Sequence, residues 1–371
     1  MMSGRLIIFS VQVRIILRIH IFILLSTLFH LNALNAQVVL NADGPGDTYE
    51  LINSVLAPGY NVVEVPDCAH PEFGRHIEEV YDSVLGKYVF KFHIHVTPDN
   101  DRCKVFDRQR NEIKTYDKSP DNLKAVAGET VLYKWRFKID TGFQSSSSFT
   151  HLHQLKAVGG PEESMPLITL TARKGSPDKM QIRYAQILSQ TTIHEVPLDP
   201  FMGSWVEVEE LVTFGESGKY YLNINRISDS SNLMAFSHDN IRMWKTDARF
   251  LRPKWGIYRS LNASADLRDE MVLFSDFYIE ELDITSLDSH SAYSGTLHIY
   301  PNPARDYIQF NSFSVTTPSS ITIIDQIGRI MLNQTYEEGR QYNISALDKG
   351  IYFVRLYSGN ETIATSKFVK Q

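Results

Sequence analysis

The sequence predicts an all-β protein, an antiparallel two-sheet jelly roll followed by a small C-terminal β-sandwich. Three observations predict it. Apolar residues recur with period two through the middle of the chain, with almost no sustained 3.6 period. The chain holds 18 Tyr and 20 Phe, flat side chains that fit pleated surfaces. Its last quarter is a series of short apolar runs separated by turn residues. A length of 371 residues at 43% hydrophobic and 22% charged content suffices for two domains and excludes disorder, collagen-like repetition and a disulfide-dense miniprotein. Lys plus Arg number 37 against 43 Asp plus Glu, a net charge of -6, so no general basic field exists for nucleic acid or an anionic membrane. A polyanion would need a local basic cleft.

Residues 1–36 read as a secretory signal peptide. Arg5, Arg14 and Arg18 precede the apolar run Ile21 to Leu25, and Ala33-Leu34-Asn35-Ala36 closes the segment. The run is too short to span a bilayer of about 30 Å. Export puts Cys68 and Cys103 in an oxidising compartment, where a bond between them would stabilise by about 3–4 kcal/mol. Two free buried thiols are the alternative reading.

Residues 37–284 form the main domain. In Val131 to Ile139, Tyr133, Trp135, Phe137 and Ile139 share one face and Lys134, Arg136 and Lys138 the other, so one face packs and one stays wet. Alternation recurs at 88–96, 168–173, 205–212, 220–226 and 273–281, and a helical turn is expected near Gly74 to Val80. Residues 285–296 are polar, small and aperiodic, and read as a linker. Residues 297–371 carry Pro301-Asn302-Pro303, Ile321 to Asp325, the turn Gln326-Ile327-Gly328-Arg329 and Gly350 to Leu356, a small antiparallel sandwich. The opening Pro-x-Pro, the Gly-Arg turn, the Gly-Ile-Tyr strand and the basic end Lys367-Phe368-Val369-Lys370 resemble the C-terminal sorting domain of the type IX secretion system. That resemblance implies a Gram-negative, Bacteroidetes-type protein that crosses the periplasm and is released or tethered at the surface by the type IX machinery.

Three segments of the main domain carry candidate chemistry. Along Asp107 to Lys114, Arg108, Arg110, Glu112 and Lys114 share one side of a strand about 6.6 Å apart, a poor core and a good anion-binding wall. The alternative is a solvated face of surface ion pairs. In Phe149 to Lys156, period two puts His151 and His153 on one face and Gln154 with Lys156 on the other, unless a bulge re-aims one of them. Imidazoles titrate near neutrality and could serve as base. No Asp, Glu or Cys stands at a spacing that completes a metal set around them, so no metal ligand is assigned. His93 and His95 form a second pair, read as structural. Across Arg252 to Arg259, Lys254, Gly256 and Tyr258 face one way, with Gly256 as an open slot between a cation and a phenol about 13 Å apart.

Together these segments resemble the jelly-roll polysaccharide lyases, which have a concanavalin-like sandwich and include family 7 alginate lyases, glucuronan lyases and heparin lyase I. The Arg-x-Glu-x-basic strand stands as Arg110-Asn111-Glu112-Ile113-Lys114 and the Lys-x-Gly-x-Tyr strand as Lys254-Trp255-Gly256-Ile257-Tyr258. The intervening strand departs: His151 stands where alginate lyases carry Gln, with His153 at the matching His, while Gln154-Leu155-Lys156 looks more like the glucuronan and heparin lyase version. The resemblance implies β-elimination on a uronic-acid polymer. In that reading His153 is the base and Tyr258 the acid, or Tyr258 serves as both. Arg110, Gln154 and Lys254 complete the catalytic set, and His151, Glu112, Lys114, Lys156, Arg173 and Arg259 bind substrate, with Arg183 and Tyr184 at outer subsites. No cofactor is required, a structural calcium ion is compatible with the fold, and the chain is expected to be a monomer that binds an anionic polysaccharide and no nucleic acid. The rival reading is a non-catalytic carbohydrate-binding jelly roll. A glycoside hydrolase would need a pair of flanking carboxylates, and Glu207 and Glu209 read as the solvated side of a strand.

Overall fold

The computed structural model of the chain describes residues 37–282, 297, 299–310, 318–325, 329–358 and 361–371. The expected signal peptide, the linker and the turn at 326–328 lie outside the described residues. Fifteen strands and one α-helix make up the described main body. They are β1 (Val38–Leu40), α1 (Thr48–Leu56), β2 (Val63–Glu64), β3 (Ile77–Asp82), β4 (Lys87–Ile94), β5 (Arg108–Lys114), β6 (Thr130–Ile139), β7 (Thr150–Val158), β8 (Ile168–Arg173), β9 (Lys179–Tyr184), β10 (Thr191–Pro197), β11 (Val206–Thr213), β12 (Gly218–Arg226), β13 (Asn232–Ile241), β14 (Phe250–Ser260) and β15 (Glu270–Leu282).

Two antiparallel sheets result, as the alternation requires. One has the order β13-β12-β11-β6-β15-β4-β3 with β1 also on β15, and the other runs β10-β9-β8-β7-β14-β5-β2. Strands distant in sequence lie side by side, β14 between β7 and β5 above all, which is the crossing connectivity of a jelly roll. The core lies between the sheets. Tyr133, Trp135, Phe137 and Ile139 of β6 are all at most 1% exposed, and Trp255 of the opposite sheet meets Tyr133 and Trp135 at ring-centroid distances of 6.5 and 5.9 Å. On the wet face of β6, Lys134 pairs with Glu209 at 3.0 Å and Arg136 with Glu207 at 2.8 Å, cross-strand partners in register on β11. Glu207 and Glu209 are therefore a solvated ladder, as read.

Two expectations are corrected here. Gly74 to Val80 is not helical; β3 starts at Ile77 inside it. The helix lies instead at Thr48–Leu56, where Thr48, Ile52 and Leu56 bury one stripe at i, i+4 and i+8. Nine residues are too few for that period to stand out in a chain dominated by alternation. Among the described residues, no helix is long and apolar enough to cross a membrane. Cys68 and Cys103 are bonded, with Cα atoms 6.2 Å apart, so the free-thiol alternative falls.

The tail forms its own small sandwich of β16 (Ile299–Tyr300), β17 (Tyr307–Phe310), β18 (Ser320–Ile324), β19 (Ile330–Thr335), β20 (Tyr342–Asn343), β21 (Gly350–Ser358) and β22 (Glu361–Lys370). A three-stranded sheet β16-β17-β20 and a four-stranded sheet β19-β18-β21-β22 enclose Ile308, Ile321, Ile323, Val354, Leu356 and Phe368, a core separate from that of the main body.

Candidate active site

On the seven-stranded sheet, Ile113, Trp255 and Ile257 face the core and are fully buried, and the alternate residues of β5 and β14 form the opposite face. The register lays two rows of side chains across that outer face. Gln181, Thr171, His151, Tyr258 and Arg110 stand opposite one another in turn on β9, β8, β7, β14 and β5. Arg183, Thr169, Gln154, Lys254 and Lys114 make the neighbouring row. Between the rows Gly256 opposes Glu112, which opposes Glu64 of β2.

Two irregularities create this alignment. β7 has one residue more than β8 between His151 and His153, and β14 one more than β7 between Trp255 and Tyr258. Leu152 and His153 both turn to the core, so His151 and Gln154 share the outer face although they are three apart. His153 is 1% exposed, packs against Trp135 and Trp255 with centroids 4.4 and 5.6 Å away, and has Nε2 2.9 Å from the buried Glu210 of the other sheet. The expectation that His153 is the base is thereby corrected: it is a core residue, and His151 takes the place beside Tyr258. Gly256 has φ +142°, and a Cβ there would lie 2.1 Å from the Asn111 carbonyl oxygen. It is not an open slot; glycine lets the β5 backbone come close.

His151 and Tyr258 have ring centroids 5.8 Å apart, and Phe149 packs on both, at 4.8 and 5.1 Å. His151 Nδ1 lies 2.7 Å from Thr171 Oγ1. Burial, with the cations Arg110, Arg183 and Lys254 adding to it, pushes the His151 pKa down to about 3, although Glu112 acts in the other direction. The imidazole is therefore neutral at physiological pH. Arg108 Nη1 donates to the Tyr258 hydroxyl at 3.0 Å, and the Arg110 guanidinium lies 3.7 Å from the centre of its ring. Burial raises the Tyr258 pKa against the pull of Arg110 and Arg108, which keeps the phenol protonated.

Beneath these groups is a buried charge network. Glu112, 1% exposed, accepts from Arg110 Nη1 and Gln154 Nε2 and lies 2.7 Å from Lys254 Nζ. Glu64 pairs with Lys254 at 2.5 Å, Lys114 at 2.7 Å and Arg102 at 2.5 Å. Asp101 accepts from Arg110 Nε at 3.0 Å. Burial opposes ionisation of Glu112, but Lys254 and Arg110 outweigh it and hold its carboxyl below the usual range. The anion-binding wall is thus corrected in part: Arg110, Lys254 and Lys114 are already neutralised by Glu64, Glu112 and Asp101. Among the unneutralised cations on this face are Arg173, Arg183, Lys156 and Arg252. Among the described residues none of the four has a carboxylate at ion-pair distance; they bond to Ser147 O, Gln190 and Thr192, Glu163 O and Ser164 O, and Thr115 O respectively.

Arg259 and Tyr184 are corrected as well. Arg259 is fully buried, with Nε donating to Gln109 Oε1 at 2.7 Å and Nη1 to Arg268 O at 2.8 Å, because its parity is opposite to that of Tyr258. Tyr184 packs against the core, its hydroxyl donating to Arg242 O at 2.9 Å. Sequence reasoning missed Glu64, Asp101, Thr171 and Phe149, because nothing local marks any of them as a site residue. Arg108 was visible in the same-face charge row and its contact with Tyr258 was not.

Comparison with known proteins gives three results. Residues 298–371 match the family model described as the secretion system C-terminal sorting domain, which bears out the tail resemblance and supports secretion or cell-surface export. No match was found among curated proteins. Among solved structures the chain is similar to an endo-β-1,4-glucuronan lyase from the fungus Trichoderma reesei, at 15% identity and TM-score 0.41 over 55% of this chain and 86% of that one. It is also similar to a PL-14 alginate lyase from Aplysia kurodai, at 12% identity and TM-score 0.45 over 65% and 97%. The alginate lyase A1-II' of polysaccharide lyase family 7 follows at 15% identity and TM-score 0.42 over 60% and 94%.

Proposed function

We propose that the main body is a polysaccharide lyase that cuts an anionic, uronic-acid-containing polymer by β-elimination. The observation that carries this reading is the pairing in register of a buried neutral imidazole, His151, with a cation-held phenol, Tyr258. His151 takes the C5 proton; the electrons of that bond form the C4=C5 double bond as the C4–O4 bond breaks; Tyr258 gives its proton to the departing oxygen. The imidazolium and phenolate then exchange a proton to restore the start. Charge develops on the uronate carboxylate, and preorganised donors aimed at it supply the largest share of the acceleration. Gln154 spends one amide hydrogen on Glu112 and has a second to give. Arg108, already on the Tyr258 hydroxyl, is the cation next to the reacting atoms. Arg110, Lys254 and Glu112 hold these groups in place rather than touching the sugar.

Arg173, Arg183, Lys156 and Arg252 would bind flanking negatively charged sugars, and their lack of carboxylate partners supports a polyanion on a chain of net charge -6. Every step uses protein groups alone, without a cofactor. For export, the reading is a secretory leader at 1–36, passage through a Gram-negative periplasm, and release or tethering as a monomer by type IX machinery that reads the tail.

The test incubates the purified mature chain with alginate, glucuronan, heparin, ulvan and chondroitin and follows ultraviolet absorbance of the unsaturated product. A rise on one polymer that vanishes in Tyr258→Phe and His151→Ala supports elimination and identifies the substrate. A flat trace on all of them, with retained binding to one, would replace the lyase by a carbohydrate-binding module.

A further inference from the structure

Three histidines and an aspartate converge at the junction of the two sheets, outside the rows just described. His70, His76, His95 and Asp99 each offer a ligand atom, all within 4.8 Å of one another. The Asp99 side chain is fully buried and is the hub: Oδ1 lies 3.1 Å from His70 Nδ1 and 3.2 Å from His76 Nε2, and Oδ2 lies 3.1 Å from His95 Nδ1. Ligands held about 2.0–2.1 Å from a tetrahedral zinc ion stand about 3.3 Å from each other, so these contacts are already near the required spacing.

A second observation points the same way. His76 Nδ1 faces Asp67 Oδ1 at 2.8 Å, and both Asp67 oxygens accept from the Tyr49 hydroxyl, at 3.1 and 2.9 Å. A carboxylate on the far ring nitrogen fixes the tautomer that leaves Nε2 free for a metal. The turn bearing Asp67 and His70 is stapled by the Cys68–Cys103 disulfide to the loop that follows Asp99. Phe73 covers the cluster, its ring 5.3, 4.7 and 4.4 Å from those of His70, His76 and His95. His93, two residues from His95, lies beside the cluster with its ring 6.4 Å from that of His95, but its Nε2 is engaged by Glu78 at 2.8 Å.

We propose that His70, His76, His95 and Asp99 form a closed four-ligand site for a divalent zinc-class ion, which braces the loop between β4 and β5. Three imidazoles select a first-row transition metal over calcium, which takes oxygen ligands. Four protein ligands leave no open position, the pattern of a structural site. The loop it holds matters to the candidate active site. The Asp99 carbonyl accepts from Gln109 Nε2 at 2.8 Å, and Gln109 Oε1 accepts from Arg259, neighbour of Tyr258. Two residues on, Asp101 accepts from Arg110 at 3.0 Å and Arg102 at 2.7 Å.

The metal reading is tested apart from catalysis. The oxidised mature chain, stripped with a chelator, is titrated with Zn²⁺ and separately with Co²⁺. The expected result is one equivalent bound with a dissociation constant below about 1 μM, a raised Tm, and visible Co²⁺ bands of a four-coordinate nitrogen-rich site. His95→Ala and Asp99→Asn should abolish saturable binding and His93→Ala should leave it unchanged, while Asp67→Asn should weaken it about 10–100-fold. If a variant does not fold, the Co²⁺-loaded native chain decides by the number of paramagnetically shifted imidazole resonances, three being expected. No saturable binding by the native chain, binding unaffected by His95→Ala, or fewer than three shifted imidazoles would overturn the site and leave a hydrogen-bonded His–Asp cluster. None of these readouts depends on whether the chain is a lyase.

Discussion

His151 and His153 are two positions apart and lie on opposite sides of a sheet, so their substitutions should separate cleanly. His151→Ala is expected to lower kcat about 10²–10⁴-fold with little change in Tm, as removal of a general base would. His153→Ala should instead destabilise the fold by about 3–5 kcal/mol, because it opens a cavity against Trp135 and Trp255 and leaves the buried Glu210 with Tyr220 alone; thermal unfolding beside the product assay distinguishes the two. The pH dependence follows from the same burial. An unfolded imidazole titrates near 6.5 and folded His151 at about 3, so between these values only the unfolded chain binds the proton, and His151's contribution to stability falls as pH drops through that window. For the same reason kcat/KM should stay flat as pH falls through 6.5 and decline only well below it. An acid limb centred at 6.5 would show that burial does not depress the His151 imidazole.

At the scale of elements, the bulges in β7 and β14 decide what the site contains. Alternation along β14 was legible, and Lys254, Gly256 and Tyr258 do share its outer face. Alternation along β7 was misleading, because one inserted residue reverses the parity beyond it and nothing local to Thr150–Lys156 marks the insertion. Gly256 reflects the same geometry. Gly256→Ala should cost about 2–6 kcal/mol, combining roughly 1–3 for a left-handed φ with roughly 1–3 for overpacking against Asn111 and Glu112. Measured urea midpoints would show it, and a stable Gly256→Ala variant would mean that β5 can give way. The disulfide acts on an element too: it joins residues 35 apart and should contribute about 4 kcal/mol, lost on reduction.

For the whole molecule, separate cores in the main body and tail predict separable functions. A chain ending at residue 284 should keep its product-forming rate in vitro within about twofold and its cooperative unfolding, because among the described residues no core residue of the main body comes from the tail. In a host with the export machinery the same truncation should stay inside the cell. Loss of folding on truncation would show that the tail completes the main body.

Composition and periodicity determined the architecture, because an alternating strand must bury one face and aromatic side chains fit a pleated surface. They also determined the tail, whose turns and short strands are local signals, and the candidate segments Asp107–Lys114 and Arg252–Arg259, whose outer-face residues the alternation picked out. Only tertiary structure decided which histidine faces Tyr258, that Glu64 and Asp101 neutralise Lys254 and Arg110, and that His70, His76, His95 and Asp99 meet. Each of these depends on register between strands far apart in the chain, and register is set by packing of the whole core rather than by any residue's neighbours in sequence.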